Sequence, residues 1–477
     1  MIRVCPSSAK HTQQVITIAT SNQADALHGP ILLTFFRYLL PSLVGLLAMT
    51  SATLIDGVFI GNFVGVEALA AVNLLIPIMS ILFGVGIMLA TGGSVRGGKY
   101  LGEDNLSAAS AIFSKTLITA CIYGVSVMLL GLVFEAKLFN LLGASPDLFP
   151  LMSEYYRIVL LFFGAHMLCV VLYFFIKLDG QPGLTAMALV AGSVLNIVLD
   201  YWFIVVEGWG LYGAALATGL SQLISLVIYL SYFFTKKRNL RFSLRQPHWG
   251  EIIHAAYNGL SEFINNISAG IIAAIFNWML IQRAGVDGVA AITVVNYLLM
   301  IGYMVFFAIG DTCQVMLSQN FGANNPRRMN KFLRLAGWLV FTVSFSCITV
   351  LLTQNKTLIL MFVDNNNSDK TIALAQVFVT YLWPAFIFVG INILLSCYLT
   401  AVHLPFQSGV VALCRSLVLP AVLLFVFYPL VEDYRFILAL PSAEALTFGL
   451  ALWYFIRHRP KKMTAAQDKR TSAPQRL

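Results

Sequence analysis

In the stretch "NIVLDYWFIVVEGWGLYGAALATG" (residues 196–219), an amide, Asn196, and a carboxyl, Asp200, stand four residues apart in an apolar run; a hydroxyl, Thr218, follows a short Gly-containing turn. No Lys or Arg lies in that run to pair the acid. On a helix, the i, i+4 spacing puts Asn196 and Asp200 on one face. A second acid, Asp56 in "ATLIDGVFIGNF", is embedded in another apolar run. A carboxylate in hydrocarbon is costly, so it must face an interior and find a partner or a proton there. Oxygen-only ligands suit a hard cation such as Na⁺, and two close carboxyls in a low dielectric favour sharing a proton. The other reading of the same residues is a set of interhelix hydrogen bonds with no ion chemistry.

The elements that must position these groups are membrane helices. The chain is 59% hydrophobic and only 11% charged, with mean hydropathy +0.82, against about 25% charged residues in soluble domains. Apolar runs long enough to cross about 30 Å of hydrocarbon as helices recur twelve times, near 34–60, 69–93, 112–134, 154–177, 184–206, 211–234, 252–280, 289–312, 333–354, 376–400, 409–428 and 436–456. The fold class is an all-α integral membrane protein.

A net charge of +9 could suit nucleic acid, but its placement argues for a bilayer. Lys and Arg gather in alternate loops: Arg96 and Lys99, "KKRNLRFSLR" from Lys236, the group Arg327, Arg328, Lys331 and Arg334, and the tail from Arg457. If those loops are cytoplasmic, that side carries 24 of the 30 basic residues, and the outer side keeps Lys137, Arg157, Arg283, Lys356, Lys370 and Arg435. The positive-inside rule then places both termini in the cytoplasm, which requires an even number of spans. Residues 1–30 hold no apolar core for a signal peptide and read as a disordered cytoplasmic segment, and residues 458–477 as a basic tail near anionic lipid. Six of the seven cysteines fall in apolar spans and no CxxC occurs, so they read as packing residues.

Shifted by 220 residues, the segment from Gly65 aligns without a gap on the segment from Gly285. Gly65/Gly285, Val66/Val286, Ala70/Ala290, Ala71/Ala291, Ile81/Ile301, Gly102/Gly322 and Asn105/Asn325 coincide. Both copies open the second span of a six-span half, so the halves read as parallel repeats about an axis along the membrane normal. The division is a lobe at 31–234, a basic linker at 235–250 and a second lobe at 251–457. The same offset sets Asp56 against Phe276, and "GVVALCRSLVLPAVLLFVFY" in the eleventh span offers no counterpart to Asn196 and Asp200. The buried carboxylate chemistry is therefore expected in the first half alone. The topology places Asp200 about 9 Å below the outer surface at about 1.5 Å per residue, with Thr218 and Asp56 at a similar depth.

At these residues the sequence resembles the multidrug and toxic compound extrusion (MATE) family, most closely its DinF-like branch. "NIVLD" followed by "GLYGAALATGLSQ", "LIDGVFIGNFVGVEALAAVNLLIP" and "FGANN" carry the resemblance, which covers about residues 31–457. It implies twelve helices in two six-helix lobes and export of drug-like compounds against inward H⁺ or Na⁺ flow, with no cofactor. It also implies a coupling site on Asp56, Asn196, Asp200 and Thr218, and a first-helix hinge at Pro41. Another branch pairs a seventh-helix Glu with a tenth-helix Asp. Here Glu262 is present, but "PAFIFVGINILLSCYLTAV" contains no acid.

Other signals are weaker. "GSVRGGK" from Gly93 mimics a phosphate-binding loop, but Tyr100 follows where Ser or Thr must hold Mg²⁺. Glu262 and Glu444 are buried acids of the second half, either accessory cavity residues or interhelix hydrogen-bonding groups. A flippase for lipid-linked sugars is the rival within transport; it would need cavity arginines, and only Arg415, read as near the cytoplasmic side, is present. A membrane-embedded enzyme would need a metal motif or a nucleophile with its base, and the sequence offers neither. The whole reading is a monomeric, multi-pass exporter of the bacterial inner (plasma) membrane, acting on small lipophilic molecules and not on nucleic acid.

Overall fold

Long apolar segments in lipid must satisfy every backbone group internally, so they form helices. The computed structural model describes residues 23–243, 248–360 and 369–465. Ten of its helices are long and apolar enough to cross a membrane. One of these, Leu260–Gly322, runs for 63 residues, but at Gly285 the backbone leaves the helix with φ 65° and ψ −154°. It is therefore two spans, the seventh and the eighth. One further span is a bent pair, Asp369–Leu382 and Ala385–Ala401, meeting at 55° beside Pro384, which cannot donate to a helical hydrogen bond. The described residues thus form twelve spans. The even count puts residues 31 and 457 at the same end of the molecule, here called the terminal face.

The 220-residue register is visible in the backbone. Gly65 and Gly285 both take positive φ where one span turns into the next, a conformation only glycine adopts at no steric cost. Asp104 and Asn324 are likewise paired left-handed residues. The side chains of Asn105 and Asn325 cap the third and ninth spans, accepting from Ala108 N at 3.0 Å and Arg328 N at 3.1 Å. Two of the sequence identities, Gly65/Gly285 and Asn105/Asn325, are thus turn and cap positions with a fixed conformational task.

The two halves meet at the terminal face along a seam of small residues, as membrane helices do when their backbones approach closely. A Cβ at Gly102 would strike the backbone of Gln319 and Ala323, and one at Gly322 would strike the backbone of Lys99. In the 220-residue register Lys99 corresponds to Gln319 and Gly102 to Gly322, so the contact maps onto itself under the pseudo-two-fold axis. Gly98 faces its own equivalent, Ser318, and Gly92 faces Ala255 and Gly259. At Gly92, Gly102 and Gly322 the opposing atoms are backbone and cannot swing aside. Gly102→Ala is expected to cost about 1–3 kcal/mol of overpacking, read as a lower apparent melting temperature in detergent, while Gly143→Ala, with open space around it, tests only the cost of its positive φ.

Several expectations need correction. Arg96 and Lys99 are not loop residues; they ride on the last turns of the second helix, Val66–Gly102, because its hydrogen bonding continues past the apolar run. The segment expected to be disordered includes a helix, Gln23–His28, held where Asn320 Nδ2 and Arg328 Nε donate to the carbonyl of Ala26 at 3.1 and 2.9 Å. Residues 1–22 lie outside the described residues. The tail is helical from 460 to 465, and the rest of it also lies outside them. The linker lies against the third span, with Arg241 N and Ser243 N donating to Ser110 Oγ and Ser114 Oγ at 3.1 and 2.8 Å.

Candidate functional site

The first span (Ile31–Val64) packs along the fifth (Pro182–Val206), which packs along the sixth (Gly210–Phe234). Both acid-bearing helices change winding just after their acids, four residues on from Asp56 and one on from Asp200. The π-helical turn Ile60–Val64 opens with Ile60 N–H donating to the carbonyls of Asp56 and Gly57. A second π-helical turn, Tyr201–Val206, begins at the residue after Asp200. Such turns concentrate at functional sites because they re-aim side chains within an otherwise regular helix. These two ends pack on each other and on the sixth span.

The four residues expected to meet are brought together. Asn196 Nδ2 donates to Thr218 Oγ1 at 3.4 Å. Asp200 is fully buried, and among the described residues neither of its oxygens has a hydrogen-bond partner. Asp56 is half-buried, with one buried oxygen likewise unpartnered, and it lies within electrostatic reach of Asp200. Tyr155 of the fourth span lies within electrostatic reach of both carboxyls, a neighbour with no mark in the sequence beyond being one of 18 tyrosines. Pro41 sits fifteen residues before Asp56, inside the unbroken helix Ile31–Phe59. His166 packs on Phe83, ring centroids 4.7 Å apart.

The second half also holds buried acids, Glu262 and Glu444 as expected and Asp311 besides. Asp311 of the eighth span is one that sequence reasoning missed. Its Oδ2 accepts from Lys177 Nζ at 2.6 Å and from the Tyr173 hydroxyl at 3.0 Å, both on the fourth span. Glu444 is bonded to Arg415 Nε at 3.1 Å and to Asn392 Nδ2 at 2.7 Å, so it is an interhelix ion pair. Glu262 is buried and interacts with Asn265, Asp311 and Arg415. Arg415 is not near the end of its span. The eleventh span begins at Pro405, ten residues earlier and about 15 Å away, and Arg415 stands on a third π-helical turn, Cys414–Val418. What separates the halves is partnering. The acids Asp311 and Glu444 each face a cation, and Asp56 and Asp200 face none among the described residues.

Twelve spans in two pseudo-symmetric lobes, with unpaired carboxyls buried in one of them, define a class of membrane protein built to pass solutes between lobes. The MatE family model matches residues 41–202 and 263–426, and the chain belongs to that family. It is 26% identical over 458 residues to the FAD transporter of Shewanella oneidensis, covering 92% of this chain and 98% of that one. It is 22% identical over 389 residues to the multidrug export protein MepA of Staphylococcus saprophyticus, covering 81% and 85%. A solved multidrug resistance MATE transporter of the MOP superfamily, in an outward-facing conformation, superposes with TM-score 0.86 at 21% identity over 93% of this chain and 99% of that one. That likeness fixes the fold, twelve helices in two six-helix lobes.

Proposed function

We propose that this protein exports lipophilic, often cationic compounds by alternating access, against an inward flow of H⁺ or Na⁺ that binds at Asp56, Asn196, Asp200 and Thr218. The observation that carries this reading is a buried carboxyl, Asp200, and a half-buried one, Asp56, with no cation or N–H donor on their buried oxygens among the described residues, set beside an amide–hydroxyl pair. A structural pair would be expected to have closed on a partner, as Asp311 and Glu444 have. MATE kinship and the name of the staphylococcal relative support the substrate class. Oxygen ligands alone admit either ion.

In the proposed cycle, ionised Asp56 binds a cation or takes hydrogen bonds within the group and tethers the first helix. A proton arriving from outside removes that charge and releases it. Pro41 supplies no N–H to the helix, so the bend falls there and narrows the first-lobe cavity. Drug and proton then compete through two conformations.

The deciding experiment is drug efflux from proteoliposomes under an imposed pH gradient, then an imposed Na⁺ gradient. Efflux under neither would sink the reading. The Shewanella relative favours a second cargo class, a flavin dinucleotide, and vesicles loaded with FAD in the same assay separate the two.

The terminal face, basic by sequence, is the cytoplasmic side in this proposal, and the membrane is the bacterial inner membrane. Single cysteines in the loop at Lys236 should resist an impermeant thiol reagent added outside whole cells, and those in the loop at Asp364, which lies outside the described residues, should react. The opposite pattern would reverse the topology.

A further inference from the structure

A cavity of about 360 Å³ opens at the terminal face, far from the four polar residues of the first lobe. It is lined by Arg37 and Pro41 of the first span, Gln181, Pro182 and Gly183 at the start of the fifth, and Lys237 of the linker. Two cations and no acid line it. The fifth helix begins at Pro182 with no side chain capping it; Pro182 has no N–H and Leu184 N donates to the Gln181 carbonyl at 3.2 Å, so the Gly183 N–H and the positive end of the helix dipole border the space. Gln181 Nε2 is a buried donor with no acceptor among the described residues. The one acid nearby in sequence, Asp179, is already engaged. Its carboxylate accepts from the Tyr232 hydroxyl at 2.6 Å, from Asn239 N at 2.8 Å and from Asn239 Nδ2 at 3.0 Å. Those bonds also hold the loop that carries Lys237 in place. The polar groups of the cavity favour a compact anion, while Pro41, Pro182 and Leu184 leave much of its wall apolar.

Its depth says which kind. Arg37 is exposed on the same helix face as Leu33, Leu40 and Val44, which are exposed in turn; this is the face turned to lipid tails. The first span has 34 residues, about 51 Å at 1.5 Å per residue, so it overruns the hydrocarbon core of about 30 Å at both ends. Arg37 lies about 9 Å from the terminal-face end, at the level of the phosphates of the inner leaflet. Basic pockets between helices at this level suit anionic headgroups.

We propose that this cavity binds a phosphate group, supplied by an anionic phospholipid of the inner leaflet, with the acyl chains lying along the face formed by Leu33, Leu40 and Val44. The site borders the proposed hinge. Pro41 cannot donate to the carbonyl of Arg37 four residues earlier, and a phosphate shared by Arg37, Lys237 and the start of the fifth span braces the first helix at that break. Lipid charge would thereby act on the helix that carries Asp56.

The test uses the full-length protein in neutral detergent, with melting followed on adding phosphatidylglycerol, phosphatidylcholine or inorganic phosphate. Phosphatidylglycerol should raise the melting temperature by several degrees and phosphatidylcholine should not. Lys237→Gln, at an exposed loop position, should lose at least half of that gain, and Arg37→Gln with Lys237→Gln nearly all of it. Lys236→Gln, whose side chain does not line the cavity, should keep it. A matching gain with millimolar inorganic phosphate would support the site and name phosphate itself as a sufficient ligand; a gain with the lipid alone would support it and name the lipid. No gain with phosphatidylglycerol, an undiminished gain in the double variant, or equal loss at Lys236→Gln would overturn the proposal.

Discussion

Asp200→Asn is expected to reduce gradient-driven efflux to the level of protein-free vesicles, and Asp56→Asn to do the same. The amide matches the carboxyl in size, so the buried site keeps its shape, and the loss is confined to charge and titration. If the coupling ion is H⁺, an amide cannot carry it and coupling is absent. If it is Na⁺, each carboxylate contributes about 4 kcal/mol of attraction at about 4 Å and an effective dielectric near 20, so removing one weakens binding by several hundred-fold. Drug binding separates these effects from misfolding. Wild-type affinity should fall as pH drops, Asp56→Asn should bind with no pH dependence, and Pro41→Ala should bind but turn over slowly. Glu262→Gln should cost less, because Glu262 lies in the second lobe beside Asn265 and Arg415. Equal loss at Glu262 would move the coupling site, and a wild-type pH profile in Asp56→Asn would leave that carboxyl a structural role only.

The legible part of this site was legible for one reason. An acid inside an apolar run has no local way to be solvated, so Asp56 and Asp200 stand out without any knowledge of the fold. Depth followed from span direction, and the meeting of Asn196 with Thr218 followed from depth. What stayed hidden depends on which helices touch. Lys177 ends a span, where a lysine ordinarily reaches water, and only the approach of the eighth span buries it against Asp311. The π-helical turns are equally silent, since "IGNFV" and "YWFIVV" are apolar strings that suit regular helix as well. Arg415 was misplaced in depth because its helix starts at Pro405, before the apolar run does. The repeat was legible as seven coincidences, but the reason for them was not. Gly102 and Gly322 are small because each faces backbone of the other half, and Asn105 and Asn325 persist as caps.

The terminal-face seam yields the second large effect. The Lys177–Asp311 pair, 2.6 Å apart and nearly inaccessible to solvent on both sides, joins the fourth span of one lobe to the eighth of the other. Beside it, Gln319 Nε2 donates to the carbonyl of Leu178 at 2.9 Å. At the same face Glu251 is bonded to Arg96 Nε at 2.7 Å, to Lys115 Nζ at 3.4 Å and to the Tyr100 hydroxyl. In the proposed alternating-access cycle these contacts must part and both charges of each pair must be rehydrated. Removing one member while the seam stays shut leaves a buried charge alone, at about 3–5 kcal/mol. In an opened seam the same charge faces water at little cost. Lys177→Met should therefore shift the balance towards opening by about a hundredfold or more, at about 1.4 kcal/mol per decade. Ser318 faces Gly98 across this seam, so Ser318→Cys in an otherwise cysteine-free protein reports this directly, since its rate of alkylation should rise with the open fraction. Replacing both members, Lys177→Met with Asp311→Leu, removes the charge and its penalty together. That variant should return position 318 to the protection seen with the native pair while exporting more slowly, because an apolar seam no longer gains hydration on opening. If Lys177→Met leaves position 318 as protected as the native pair does, the pair does not hold the lobes together, and the glycine seam alone closes this face.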